Sequence, residues 1–175
     1  GQGAHIAPGF IDTHSHDDGA FFRYPGMAFK LAQGVTTVVA GNCGFSAIPA
    51  DPSIDPARAS GGILAGVEAG FTDLNGYFEA VMGKQPGINN MMLVGHNTVR
   101  AIVMGMAKRA PTQAELQHMY GLVEQAMEQG ACGFSTGLIY TPGKWSQTEE
   151  IITLARAAKT TGALYTTHMR NEGDR

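Results

Sequence analysis

His14 and His16 stand two residues apart in Asp12-Thr13-His14-Ser15-His16. At the end of a strand, a period of two puts both imidazoles on one face, within reach of a single ion. Histidine is the commonest metal ligand. The plainer alternative is a pair of polar loop residues. Against it stand the preceding Pro8-Gly9-Phe10-Ile11-Asp12, which reads as the start of a buried strand, and the cost of leaving two imidazoles without partners. Cys43, in Gly41-Asn42-Cys43-Gly44, follows an apolar run, and its glycines let backbone approach a bound group closely. A thiolate there could bind zinc, or the side chain could simply fill space as a small hydrophobe. Cys132, between Ala131 and Gly133 in a strand, reads as core.

His168 closes another apolar run and would face the same mouth as His14, His16 and Cys43 if the strands are parallel and in order. His96 has the same placement at a third strand, but Asn97 and Arg100 beside it suit substrate binding or ligand support as well as ligation. Arg170 and Glu172, just beyond His168, are candidates for the same supporting or substrate-binding work. Tyr140 lies in a loop where a phenol could donate to a polarised carbonyl, or pack as an ordinary aromatic. There is no glycine-rich phosphate loop with Lys, no Gly-x-Ser-x-Gly elbow and no complete dinucleotide fingerprint.

The elements that must position these groups alternate between strand and helix. Strands are expected at Gly9–His14, Val35–Ala40, Met91–Val94, Ala131–Phe134 and Ala163–Thr167. Helices are expected over about Gly26–Gln33, over Leu74–Val81, and after Pro111, where Thr112-Gln113-Ala114-Glu115 has a capping-box pattern followed by Leu116, Met119, Tyr120, Val123 and Met127. Ser146-Gln147-Thr148-Glu149 offers a second capping box, for a helix stopping near Gly162. Residues 44–70, rich in Gly, Pro, Ala and Asp, read as a long excursion. Buried, β-branched strands separated by helices imply a parallel α/β sheet, with the chemistry at the strands' C-terminal ends. A full (β/α)8 TIM-type barrel takes about 250 residues. The chain therefore reads as a single domain, either an open α/β sheet or the first five βα units of a barrel.

The 175 residues are 43% hydrophobic and 15% charged, with 24 glycines, as in a globular domain with many tight turns. A net charge of -3 with scattered Lys and Arg lacks the basic stripe of a nucleic-acid binder. No apolar run approaches the roughly 20 residues that span a bilayer, and no leader pattern stands out. The expectation is a soluble, cytoplasmic protein acting on a small molecule, with neither nucleic acid nor membrane as partner. Two cysteines make no disulfide framework.

APGFIDTHSHDD at Ala7–Asp18 resembles the first strand of the amidohydrolase superfamily. GNCGFS (41–46), GHNTVR (95–100), GFSTGLIYTPG (133–143) and THMRNEGDR (167–175) resemble the N-acyl-D-amino-acid deacylases, or D-aminoacylases, within it. The resemblance implies a zinc hydrolase that removes the acyl group from an N-acyl-D-amino acid with metal-activated water, in a barrel flanked by a small β-domain. It implies one tightly bound zinc with His168 among its ligands and a weaker second position at His14 and His16. Cys43 would lie between the two, where many relatives use a carbamylated lysine. Tyr140 would polarise the scissile carbonyl together with a later histidine.

The family pattern also includes a histidine from strand six and an aspartate from strand eight as ligand and general base, and most of its carboxylate-gripping residues lie in that later part. The expectation is therefore a fragment, inactive alone, without the flanking β-domain and strands six to eight, whose open edges could favour self-association. A dihydroorotase- or hydantoinase-like cyclic amidase is the enzymatic alternative and would call for a lysine on strand four; Lys144 comes later, in the loop. A metal-binding module without catalysis is the other.

Overall fold

β-branched residues set the frame. Val35-Thr36-Thr37-Val38-Val39-Ala40 forms strand β2 (Val35–Ala40), whose last three residues are buried; restricted χ1 freedom suits Val and Thr to a pleated, packed surface. In the computed structural model, which describes residues 2–68, 70–159 and 162–173, β2 pairs with β1 (Phe10–Asp12) on one side and β3 (Asn89–Gly95) on the other. Strands β4 (Gly133–Gly137) and β5 (Leu164–His168) complete a five-stranded sheet in the order β1-β2-β3-β4-β5, all pairs parallel. A doubly wound sheet reverses its strand order at a switch point, whereas a barrel wall runs in sequence. The order here is the barrel's, and the fold is the expected α/β partial TIM barrel.

Between the strands run α1 (Ala20–Arg23), α2 (Ala28–Leu31), α3 (Pro56–Ala59), α4 (Leu74–Met82), α5 (His96–Met104), α6 (Gln113–Glu128), the 3-10 turn η1 (Gly143–Trp145) and α7 (Thr148–Ala157). Helix α6 starts as its sequence predicts. Thr112 Oγ1 accepts the Glu115 N–H at 3.3 Å while the Glu115 carboxylate accepts the Thr112 N–H at 2.7 Å. Met119, Val123 and Met127 on its apolar face join Val94 and Phe134 of the sheet and Leu74, Tyr77 and Leu154 of neighbouring helices in one core.

Several boundaries differ from expectation, each for a local reason. Strand β1 stops at Asp12, so His14 and His16 lie in the loop beyond it and the period-two argument does not describe their geometry. The helix expected from Gly26 shrinks to α2 because Met27 takes a left-handed backbone, φ 45°, which a helix cannot contain. The second capping box does not form: Gln147 is the N-cap, and the Ser146 hydroxyl instead donates to the Gly143 carbonyl at 2.6 Å. Helix α7 ends at Ala157, well before Gly162. His96 and Asn97 do not end a strand; the chain passes directly from β3 into α5, which the sequence reading lacks.

Candidate metal centre

The turn that carries Cys43 is built from unusual backbone. Gly41 and Gly44 both have φ 78°, and Cys43 itself has φ 54°. A β-carbon at Gly41 would overlap the Leu93 carbonyl, so the turn and β3 approach as only glycine permits. A cysteine held in the left-handed region costs on the order of 1–3 kcal/mol and persists where surrounding contacts over-determine it. Those contacts are present. Ser135 on β4 donates its hydroxyl to the Gly41 carbonyl and accepts the Gly44 N–H at 3.0 Å. Thr166 on β5 donates to the Asn42 side chain at 3.2 Å. Asn97, fully buried at the start of α5, donates its backbone N–H to the Gly44 carbonyl at 2.7 Å and its amide to the carbonyls of Gly137 (3.2 Å) and Cys43 (3.5 Å).

The loop after β1 is anchored as firmly. Lys30 on α2 reaches Asp12 at 2.7 Å and Asp17 at 2.8 Å, bracketing the histidine pair with one cation. Asp12 also accepts the His14 N–H at 3.2 Å. Asp18, fully buried, accepts the N–H groups of Ala47 (2.8 Å) and Gly41 (3.3 Å) and so joins this loop to the Cys43 turn. Burial pushes its carboxyl up to about 6, against the pull of those amides.

These anchors bring together His14, His16 and Cys43, with one ligand atom from each within 4.8 Å of the others. His14 Nε2 is 3.3 Å from Cys43 Sγ, and the two imidazoles meet edge to face with centroids 5.6 Å apart. His168 approaches from the other side, its Nδ1 3.9 Å from the same sulfur and 3.1 Å from the Tyr140 hydroxyl. Its Nε2 lies 3.0 Å from Glu172. Desolvation first, and His14 next, lower the pKa of His16, which favours the neutral imidazole that a metal takes. Burial raises the Cys43 thiol; a divalent cation beside it would reverse that preference. Two imidazoles and a thiol, with a further imidazole close by, form a donor set of the kind zinc selects.

The remaining candidates stand elsewhere. His96 is buried and its Nε2 meets Glu150 at 2.8 Å; Arg100 meets the other Glu150 oxygen at 2.6 Å, so this trio packs α5 against α7 away from the cluster. Arg170 donates to the carbonyls of Lys144 (2.7 Å) and Ser146 (3.1 Å), bracing the chain beyond Tyr140. Cys132, just before β4, is half-buried and free. Lys144 is exposed in η1, and β4 itself carries no lysine. Sequence reasoning passed over Lys30, Asp18 and Glu150. Asp18 lies in the run that carries the histidines, but nothing in the residue order distinguishes a buried carboxylate that accepts amides from a solvated one.

The sequence profile of the amidohydrolase family matches residues 2–169. The chain belongs to the amidohydrolase family. It is 45% identical over 169 residues to the N-acyl-D-glutamate deacylase of Alcaligenes xylosoxydans xylosoxydans, covering 97% of this chain and 34% of that protein. It is 42% identical over 174 residues to the D-aminoacylase of the same organism, covering 99% and 36%. Among solved structures, the N-acyl-D-glutamate deacylase of Bordetella bronchiseptica complexed with zinc and a phosphonate inhibitor superposes with a TM-score of 0.83 at 46% identity, over 94% of this chain and 34% of that one. A D-aminoacylase described as having a binuclear metal center superposes with a TM-score of 0.80 at 41% identity, over 95% and 35%. The amidohydrolase chain thus spans about a third of the length of these relatives. Among its described residues no helix is long and apolar enough to cross a membrane.

Proposed function

We propose that this chain supplies the metal-holding part of a zinc-dependent hydrolase that cleaves the amide bond of N-acyl-D-amino acids. The observation that carries the proposal is the convergence of His14, His16 and Cys43 within 4.8 Å at the mouth of the sheet, with His168 and Tyr140 beside them. His14, His16, Cys43 and His168 are the residues that would hold the metal, and one tightly held zinc with a second, weaker position is the occupancy this reading adopts. A divalent cation there supplies the Lewis acidity that amide hydrolysis needs.

The chain's own residues do the rest of what lies on this side of the site. Asn97 and Ser135 hold the Cys43 turn with its sulfur beside the His14 and His168 imidazoles. Lys30 fixes the loop of His14 and His16 through Asp12 and Asp17. Tyr140, whose hydroxyl already lies within hydrogen-bond distance of His168, is placed to donate to the oxygen of a substrate carbonyl as charge develops on it. The Glu172 carboxylate, 3.0 Å from His168 Nε2, sets a negative charge beside that imidazole. The relatives carry about two-thirds of their length outside the matched region, so the proposed activity is that of the whole protein. The absence of lysine from β4 argues against the cyclic-amidase alternative.

The test compares this chain with a form extended to the relatives' length, measuring bound zinc and hydrolysis of an N-acetyl-D-amino acid. Zinc in both and hydrolysis in the longer form are expected. Absence of zinc from both would remove the ligand assignment, and a longer form that binds zinc without hydrolysing any N-acyl-D-amino acid would remove the substrate assignment.

A further inference from the structure

One arginine near the cluster takes no part in anchoring the metal-ligand residues. A cavity of about 490 Å³ opens beside the metal cluster, lined by His16, Cys43 and Tyr140 on one side and by Phe45, Ile63 and Arg58 on the other. The far wall comes from the excursion between β2 and α4. Helix α3 carries Arg58 there and is well anchored for its length: Asp55 caps it by accepting the Ala57 N–H at 3.0 Å, and the Ser60 hydroxyl donates to the Pro56 carbonyl at 2.7 Å while accepting the Leu64 N–H at 3.1 Å.

The excursion is also locked to the cluster. Gly61 has φ 63°, and a β-carbon on it would come within 2.7 Å of the Phe45 ring, so the chain after α3 lies directly against that ring. Phe45 in turn packs on Tyr140, with ring centroids 5.9 Å apart. Arg58 is therefore held at a set position relative to Tyr140, through one aromatic ring and one glycine.

Charge decides what Arg58 is for. It is exposed, and among the described residues its side chain enters no ion pair. Among the described residues no carboxylate lines the cavity, and Arg58 is the one Lys or Arg in its lining. Met106 and Arg58 also line a second, smaller cavity with Ile54, Ala101 and Ile102, an apolar bed suited to an arginine stem with its head group free. A guanidinium presents a planar fork of donors that matches a carboxylate two-pronged.

We propose that Arg58 is a substrate-binding residue that receives a carboxylate of the substrate in this cavity. The inference rests on the proposed N-acyl-D-amino-acid reading, because such a substrate always bears an α-carboxylate and, with an acidic amino acid, a second one on its side chain.

The experiment uses the full-length protein and measures zinc content, KM and kcat for N-acetyl-D-glutamate and N-acetyl-D-leucine in wild type, Arg58→Met and Arg58→Lys. Arg58→Met keeps an apolar stem and removes the fork. It is expected to retain zinc and kcat while KM rises roughly tenfold to a hundredfold, the span of a lost charge-assisted hydrogen bond, with partial recovery in Arg58→Lys. A rise for the glutamate substrate alone assigns the side-chain carboxylate, and a rise for both assigns the α-carboxylate; either supports the proposal. An unchanged KM for both substrates, a rise confined to the leucine substrate, or a fall in kcat at constant KM overturns it. Wild type that hydrolyses neither substrate overturns the functional reading itself, and this inference with it.

Discussion

Nε2 of His14 lies 3.3 Å from Sγ of Cys43, joining the loop after β1 to the turn after β2 across two strands that are neighbours in the sheet. Neither residue is placed by its packing alone. His14 is exposed, and Cys43 adopts a backbone conformation that cysteine ordinarily avoids. What holds them at that separation is the Lys30 pair of ion contacts on one side and the Ser135 and Asn97 hydrogen bonds on the other. Cys43→Ala should therefore leave the fold's thermal midpoint nearly unchanged while lowering zinc affinity by more than the roughly 10–100-fold that losing a supporting partner costs. Competition against a chromogenic chelator measures it. Unaltered affinity would remove Cys43 from the ligand set.

Lys30 offers a test of support without touching a donor atom. Its ammonium sits between Asp12 and Asp17, with only 15% of its side chain exposed. Lys30→Met would leave two carboxylates facing each other across an apolar side chain and free the histidine loop to shift. Zinc affinity is expected to fall about 10–100-fold, with a loss of stability of about 1–3 kcal/mol from the stranded partners. A urea titration gives the second quantity and a zinc titration the first. Stability loss with zinc affinity intact would show that the clamp serves the fold alone.

The middle of the sheet was legible in the sequence because β2 leaves a long β-branched run, Val35–Ala40, and α6 was legible because its cap and apolar stripe are local features; β1, read as a buried strand, and β5 are instead largely exposed. Contacts that cross the chain were not. Ser135 meets the Cys43 turn across 91 residues, and Asn97 meets Gly137 across 40; nothing local to either position encodes such a pairing. His96 is instructive. Its position after an apolar run placed it at the mouth, but the absence of a loop between β3 and α5 turns it inward to Glu150 instead.

Tyr140 separates chemistry from metal binding. Its hydroxyl contacts His168 at 3.1 Å and its ring packs edge to face on the same imidazole at 4.8 Å. Tyr140→Phe keeps the ring packing and deletes one donor. On the proposed function, zinc content should be unchanged and kcat of the full-length protein should drop on the order of 100- to 1000-fold, the range found for removal of an oxyanion donor. A variant with wild-type kcat would show that the hydroxyl serves only to orient His168.

Glu150 makes the case for a structural carboxylate outside the metal-ligand cluster. Burial alone would raise its pKa, but hydrogen bonds from His96 and Arg100 outweigh that and hold it below the ordinary value. The network is demanding, since His96 Nδ1 and Arg100 Nε are buried without partners of their own. Glu150→Gln should cost about 3–5 kcal/mol near neutral pH by leaving the Arg100 guanidinium unpaired. A depressed carboxyl stabilises the folded state above its unfolded pKa of about 4.3, and that contribution is lost as pH falls through the lower folded value. The gap in urea midpoint between wild type and variant should accordingly be widest at pH 7 and narrow steadily below about pH 4.3. A gap that stayed constant down to pH 2 would mean that packing, and not the charge of Glu150, joins α5 to α7.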